Sequence, residues 1–148
     1  MRKQKAISRS PVAIEEVCRI GESLKRAELN VRDVITLNDQ EGITEEKIEE
    51  YNLKAVESIG EVKKQYGRAI KLYDRIVKEP RRSPKLPQMR RRLARLRIET
   101  SHMVRNMEFT PMVQDRLVNL IRVAVEEVRD TKKEVDRSRR ALERKKWN

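Results

Sequence analysis

The sequence predicts an all-α fold: an antiparallel bundle of about four long helices plus one short helical turn. Three observations predict it. Apolar residues recur at three- and four-residue spacings along most of the chain, and no strand pattern appears. Charged residues make up 41% and aromatic residues 3%, which suits thin helices that bury a narrow seam. Cap-plus-proline pairs and a proline cluster punctuate the places where helices should begin and end.

Residues 1–10 (MRKQKAISRS) are basic and read as irregular, or as the tail of a cut element. Ser10-Pro11 then opens a helix over about residues 11–26, with Val12, Val17, Ile20 and Leu24 on its apolar stripe. Gly21 weakens that helix modestly, and Cys18 reads as a small core residue. In the following ELNVRDVITLNDQEG, Val31, Val34, Ile35 and Leu37 are too apolar for a free loop. They predict one short helical turn docked on the bundle, followed by a polar turn from Asn38 to Gly42.

Thr44 caps the second long helix, Glu45 and Glu46 face the positive end of its dipole, and Ile43 is placed to staple onto Ile48. Its seam runs through Ile48, Ala55, Val62, Ala69 and Ile76, with Ile59, Tyr66 and Tyr73 at the other seam position. Asn52 interrupts that second line, and Gly60 and Gly67 lie off both. The helix ends near Lys78, where Pro80, Pro84 and Pro87 keep the link extended. A third helix follows over about residues 88–107, with Met89, Leu93, Leu96, Thr100, Met103 and Met107 on one face.

Residues 109–142 carry the longest pattern. Thr110 offers a capping hydroxyl and Pro111 a first helical position that needs no donor. Leu117, Ile121, Ala124, Val128, Thr131, Val135, Ser138 and Leu142 then follow at spacings of four and three, a seam repeating every 3.5 residues. A helix of about 32 residues spans roughly 48 Å. The helix over residues 44–78 matches it in length and is its expected partner. The minimal link before Thr110 sets the third and fourth helices antiparallel. Residues 1–43 are then an N-terminal helix and short segment docked on a three-long-helix bundle of residues 44–148, all in one compact domain.

The formal net charge of +12 and pI near 10.1 point to an anionic partner. No run of eighteen apolar residues spans a bilayer, the N-terminus lacks the apolar stretch of a signal peptide, and lone Cys18 cannot form an internal disulfide. A reducing, cytoplasmic setting and a monomer follow as expectations. The single histidine, His102, lies beside the Met103 face and reads as a surface residue rather than a base. The acidic stretch of Asp39, Glu41, Glu45, Glu46, Glu49, Glu50, Glu57 and Glu61 lacks metal-ligand spacing, and Glu45, Glu46, Glu49 and Glu50 read as a solvated helix face. There is no zinc-ligand spacing and no glycine-rich phosphate loop, so no catalytic residue, metal, cofactor or small-molecule substrate is expected.

The basic clusters carry the functional signal. Arg81, Arg82 and Lys85 lie in the proline link, and Arg90, Arg91, Arg92, Arg95 and Arg97 crowd the third helix. Arg137, Arg139, Arg140, Arg144, Lys145 and Lys146 crowd the end of the fourth, beside Trp147. Arginine suits bidentate pairing with phosphate or carboxylate. An antiparallel third and fourth helix would merge the clusters into one basic pole able to meet about six phosphates. No aromatic residue interleaves the arginines, so single-strand stacking is not expected.

Two stretches carry a family resemblance. AISRSPVAIEEVCRIGESLKRAELNVRDVITLNDQEGITEEKIEE resembles the segment just after region one of primary sigma factors of bacterial RNA polymerase. LARLRIETSHMVRNMEFTPMVQDRLVNLIRVAVEEVR resembles the closing part of the insertion before region two, the non-conserved region of the sigma-70 family. The likeness covers about residues 6–142, and SRSPVAIEEV, NVRDVI and NMEFTPMVQDRLVNLI are its distinctive strings. The core-binding helix and aromatic-rich promoter-melting stretch of region two, and the helix-turn-helix of region four, are not in this sequence. The resemblance therefore implies a non-catalytic piece of a sigma factor, a helical outrigger beside the promoter-recognition domain. It implies contact with the largest catalytic subunit of core RNA polymerase and with upstream promoter DNA, tuning promoter escape. The arginines above rest on charge alone. The alternative is a free-standing helical-bundle adaptor, or a self-associating coiled coil, with a basic nucleic-acid-binding pole.

Overall fold

The computed structural model describes residues 2–38 and 42–147; the turn expected at Asp39, Gln40 and Glu41 lies outside the described residues. Among the described residues six helices follow one another: α1 (Arg2–Arg9), α2 (Pro11–Lys25), α3 (Val31–Val34), α4 (Glu45–Lys78), α5 (Leu86–Asn106) and α6 (Pro111–Trp147). The all-α bundle is as expected. Its pairing is not.

α4 is the spine, and it changes partner half-way along. Thr44 caps it as expected, its Oγ1 accepting from the Lys47 N–H at 3.4 Å. The first half buries Ala55, Ile59 and Val62 in the main core with α2 and α3, while the second buries Ala69 and Leu72 against Leu93 of α5. Leu72 and Gln65 take inward positions, whereas Tyr73, assigned to the seam by periodicity, is half-exposed. α5 follows as the antiparallel return of a long hairpin. Its link is not extended: Ser83 N–H donates to Pro80 O at 2.9 Å and Leu86 N–H to Ser83 O at 3.3 Å, so the prolines shape a compact turn.

Residues 2–9 are helical rather than irregular. Only Ala6 and Ile7 give α1 apolar content, and eight residues are too few for a stable isolated helix. Tertiary contacts hold it. Ile7 enters the main core, and buried Ser8 accepts from the Ser101 hydroxyl at 2.9 Å and from Arg105 Nε at 3.2 Å, both on α5. At Ser10 the side chain makes no capping bond; Pro11 alone marks the start of α2.

The largest departure concerns α6, which packs on α1, α2 and α3 and not along α4 or α5. Matching length did not select the partner. The residues before α6 explain why. Ile35 and Phe109 form an isolated antiparallel bridge, with Thr36 N–H donating to Glu108 O and Thr110 N–H to Val34 O, each at 2.8 Å. The Thr110 hydroxyl donates to Asp33 O at 2.6 Å and so does not cap α6. This clasp leads the chain away from α5 instead of folding it back. Arg116 of α6 then meets Glu16, a buried carboxylate of α2, at 3.0 Å. Residues 44–148 are accordingly not a three-helix bundle of their own; α1 to α3 supply the bed on which α6 is rooted.

Gly21 has a packing role that outweighs its low helix propensity. A Cβ there would lie 2.4 Å from Ile59 Cγ2, so α2 and α4 approach this closely at that point only because glycine is present. At Gly60 and Gly67 an added Cβ meets nothing within 4 Å. Gly21→Ala should therefore lower the stability by about 1–3 kcal/mol through overpacking. Gly60→Ala and Gly67→Ala should each raise it by about 0.5–1 kcal/mol. Urea denaturation of the three variants tests both signs.

Ala27 ends α2 in the left-handed region, φ 57°, within a wrap where Glu28 N–H donates to Ser23 O at 2.9 Å. Glycine tolerates that backbone without the Cβ clash. Ala27→Gly is expected to raise the urea midpoint, with a gain of roughly 0.5–1 kcal/mol. An unchanged or lowered midpoint would contradict the strain.

Candidate anion-binding surfaces

The α4–α5 hairpin gathers its cations at one end because a tight turn joins two basic helix termini. Arg81, Arg82 and Lys85 sit exposed in the turn, and Arg90, Arg91, Arg92 and Arg95 stand exposed on the opening turns of α5. Arg91 and Arg95, four residues apart, share one helix face. The structure also brings in cations that the sequence clusters omitted. Arg75 and Lys78 occupy the last turn of α4, directly across the link. Their signal was present in the sequence but was diluted by the apolar seam around them.

From Lys71 to Arg97 the hairpin carries eleven Lys and Arg against two carboxylates, Asp74 and Glu79. Glu79 accepts from the Ser83 hydroxyl at 2.7 Å, and Ser83 Oγ also accepts from the Lys85 N–H at 3.3 Å, so the acid helps to shape the turn. None of the eleven cations has an ion-pair partner among the described residues. Most of the chain's positive excess is thus concentrated on one unpaired tip, where a polyanion can be met without first breaking internal pairs.

The second cluster lies elsewhere. Arg137, Arg139, Arg140, Arg144, Lys145 and Lys146 stand on the last turns of α6, and every residue from 125 to 147 is exposed. Because α6 does not pack along α5, the single merged basic pole is not formed; there are two separate basic surfaces. The arm is also less purely basic. Over residues 125–147 nine cations alternate with six carboxylates. Of these, Arg139 and Glu143 pair at 3.8 Å, whereas Glu126, Glu127 and Glu134 form no ion pair among the described residues. Trp147 is 89% exposed at its end.

The remaining reactive side chains are placed quietly. His102 is exposed on α5. Cys18 is half-buried on α2; burial pushes its thiol up, Lys63 opposes that, and Glu15 and Glu22 reinforce it, so the thiolate is disfavoured at neutral pH. No group of acids, histidines or cysteines that could hold a metal ion occurs among the described residues. No described helix is long and apolar enough to cross a membrane. No protein-family model matches this chain, and neither curated proteins nor solved structures give a match.

The exposed arm yields a direct prediction. Uncovered helix of this length, about six turns, has only local bonds to hold it in water. Amide hydrogen exchange should show residues 125–147 opening with a free energy near zero, at least roughly a thousandfold faster than the amides of Val62 and Ile59 in α4. Protection in the arm equal to that in α4 would mean that something covers it.

Proposed function

We propose that this chain is a non-catalytic helical segment of a primary sigma factor. On this reading it acts in the cytoplasm during transcription initiation, contacting core RNA polymerase and the backbone of upstream promoter DNA. One observation carries the reading. The three strings that resemble the family, though far apart in the chain, lie together at the root of α6. SRSPVAIEEV forms the α1–α2 elbow, NVRDVI forms α3 and its edge, and NMEFTPMVQDRLVNLI forms the junction into α6. Arg116 pairs with Glu16, Ile35 with Phe109, and Thr110 with Val34 and Asp33. These contacts, which set the three strings side by side, are what supports the reading.

The unpaired hairpin tip supports the DNA contact. Guanidinium groups at the tip would neutralise phosphates and release counterions, which makes affinity fall steeply with salt. In titrations of the chain with duplex promoter DNA, log K should fall linearly with log salt. Changing Arg81, Arg82, Arg90 and Arg91 to Gln should flatten that slope by about two to four. The same four changes should weaken capture of the chain by core polymerase less than they weaken DNA binding. Salt-independent binding, or a slope untouched by the variant, would defeat the DNA contact. A reading frame with no region-two helix and no helix-turn-helix downstream would defeat the sigma assignment itself.

The uncovered seam of α6 favours a second reading, a self-associating coiled coil. Val128, Val135 and Leu142 are 60–68% exposed yet continue the line that begins at buried Leu117. Sedimentation equilibrium tests it: a concentration-dependent dimer supports self-association, and a monomer at all concentrations rules it out.

A further inference from the structure

We infer that the groove between the α1–α2 elbow, α4 and α5 is a docking surface for an acidic amphipathic helix of another protein. The groove has a volume of about 480 Å³, and its lining includes Tyr66, Ile70 and Tyr73 of α4 and Ile98 of α5. Ile70, Tyr73 and Ile98 are 43, 50 and 57% exposed, a cluster of large apolar side chains left open to water. The strip does not stop at the cavity. Tyr66, Ile70, Tyr73 and Val77 follow one another at spacings of four, three and four, and Val77, beyond the cavity, is 65% exposed.

From Tyr66 to Val77 the strip measures roughly 16 Å, about three helical turns. A compact ligand would fill the cavity and leave Val77 wet. A helix presenting apolar residues at three- and four-residue intervals would cover the whole strip, which is the usual geometry of a helix laid in a groove.

Charge decides what such a helix carries. No aspartate or glutamate is among the described residues lining the groove, while Arg9, Arg97 and Arg105 stand on its walls. Arg9 and Arg97 have no ion-pair or hydrogen-bond partner among the described residues. Arg105 is anchored through Nε to Ser8 Oγ at 3.2 Å, which fixes its guanidinium at the groove wall. Glu15 at the margin accepts from the Tyr66 hydroxyl at 3.3 Å, and burial together with this carboxylate pushes that phenol up, so Tyr66 remains a neutral donor at physiological pH. Cations from α1 and α5 thus share the lining with large apolar side chains, and carboxylates on the flanks of an incoming helix would meet them. The inference does not depend on the sigma-factor reading.

The test uses the full chain and a fluorescein-labelled synthetic peptide with leucines at i, i+3, i+4 and i+7 and glutamates on both flanks. Anisotropy should show saturable one-to-one binding that a scrambled peptide of the same composition lacks. Ile70→Asp combined with Ile98→Asp should weaken it at least roughly tenfold. Arg9→Glu combined with Arg97→Glu should weaken it about tenfold and create affinity for a lysine-flanked version of the peptide. Changing Arg137, Arg139, Arg140 and Arg144 to Gln should leave peptide binding unchanged. All substituted positions are exposed, and far-ultraviolet circular dichroism confirms folding; Ile98→Asp alone serves if the pair unfolds. Absence of saturable binding, equal affinity for the scrambled peptide, indifference to the groove variants, or loss in the α6 variant each overturns the proposal. So does one-to-one binding of 8-anilinonaphthalene-1-sulfonate in the groove when the peptide does not bind. DNA affinity, read separately, stands or falls on its own.

Discussion

The rest of the architecture depends on the clasp between residues 33–36 and 108–110. Two backbone hydrogen bonds and the buried Phe109 ring close the chain on itself after the whole α4–α5 excursion. Such hydrogen bonds contribute only about 1 kcal/mol each, whereas removing a buried phenylalanine costs about 3–5 kcal/mol. The ring supplies the hold and the hydrogen bonds supply direction. That direction matters more than the energy. Because Thr110 is tied to Val34 and Asp33, α6 starts over α3 and is delivered to α1 and α2, where Val113 and Leu117 are buried. A free turn at the same place would have allowed α6 to return along α5.

This separates what the sequence could disclose from what it could not. Apolar periodicity located α2, α4, α5 and α6 to within a few residues, and the apolar density around Val31 and Val34 located α3. A periodic stripe specifies which face of a helix is apolar, not which neighbour covers it. α4 and α6 are close in length, yet α4 is covered by α2 and then α5. α1 was illegible for a different reason. Its helicity comes from Ile7, Ser8, Ser101 and Arg105 meeting across the chain, and nothing local in RKQKAISR announces that. The basic residues were all visible, but their grouping was inherited from the pairing. Once the pairing changed, one pole became two, and Arg75 and Lys78 joined the stronger of them.

The arm of α6 is a seam half in the core and half in water. Leu117 is fully buried, Ile121 is partly covered, and Val128, Val135 and Leu142 are open. Burying each of those three would contribute about 1.5–3 kcal/mol. Without that, the arm is held by propensity and by local pairs such as Arg139 with Glu143, which are worth a few tenths of a kcal/mol. A rooted helix whose outer half has an apolar line but no cover gains most of its stability from whatever it meets.

The surfaces therefore differ in kind as well as in place. The hairpin tip has a nearly uniform positive charge and a turn stiffened by three prolines, and its cations have no ion-pair partner among the described residues. α4 holds the tip at the far end of a strut roughly 51 Å long. Screening confines the field of exposed charges to about 8–10 Å at ordinary ionic strength, so a polyanion bound there acts on the tip alone and leaves the clasp undisturbed. The arm mixes both signs around an apolar line, and the groove lining combines cations with large apolar side chains. Both patterns need shape as well as charge from what they contact. A polyanion with no apolar surface matches only the tip, and a protein helix matches the arm or the groove. The tip and the arm can be engaged at once, whereas the groove's apolar strip reaches Val77, next to Lys78 of the tip.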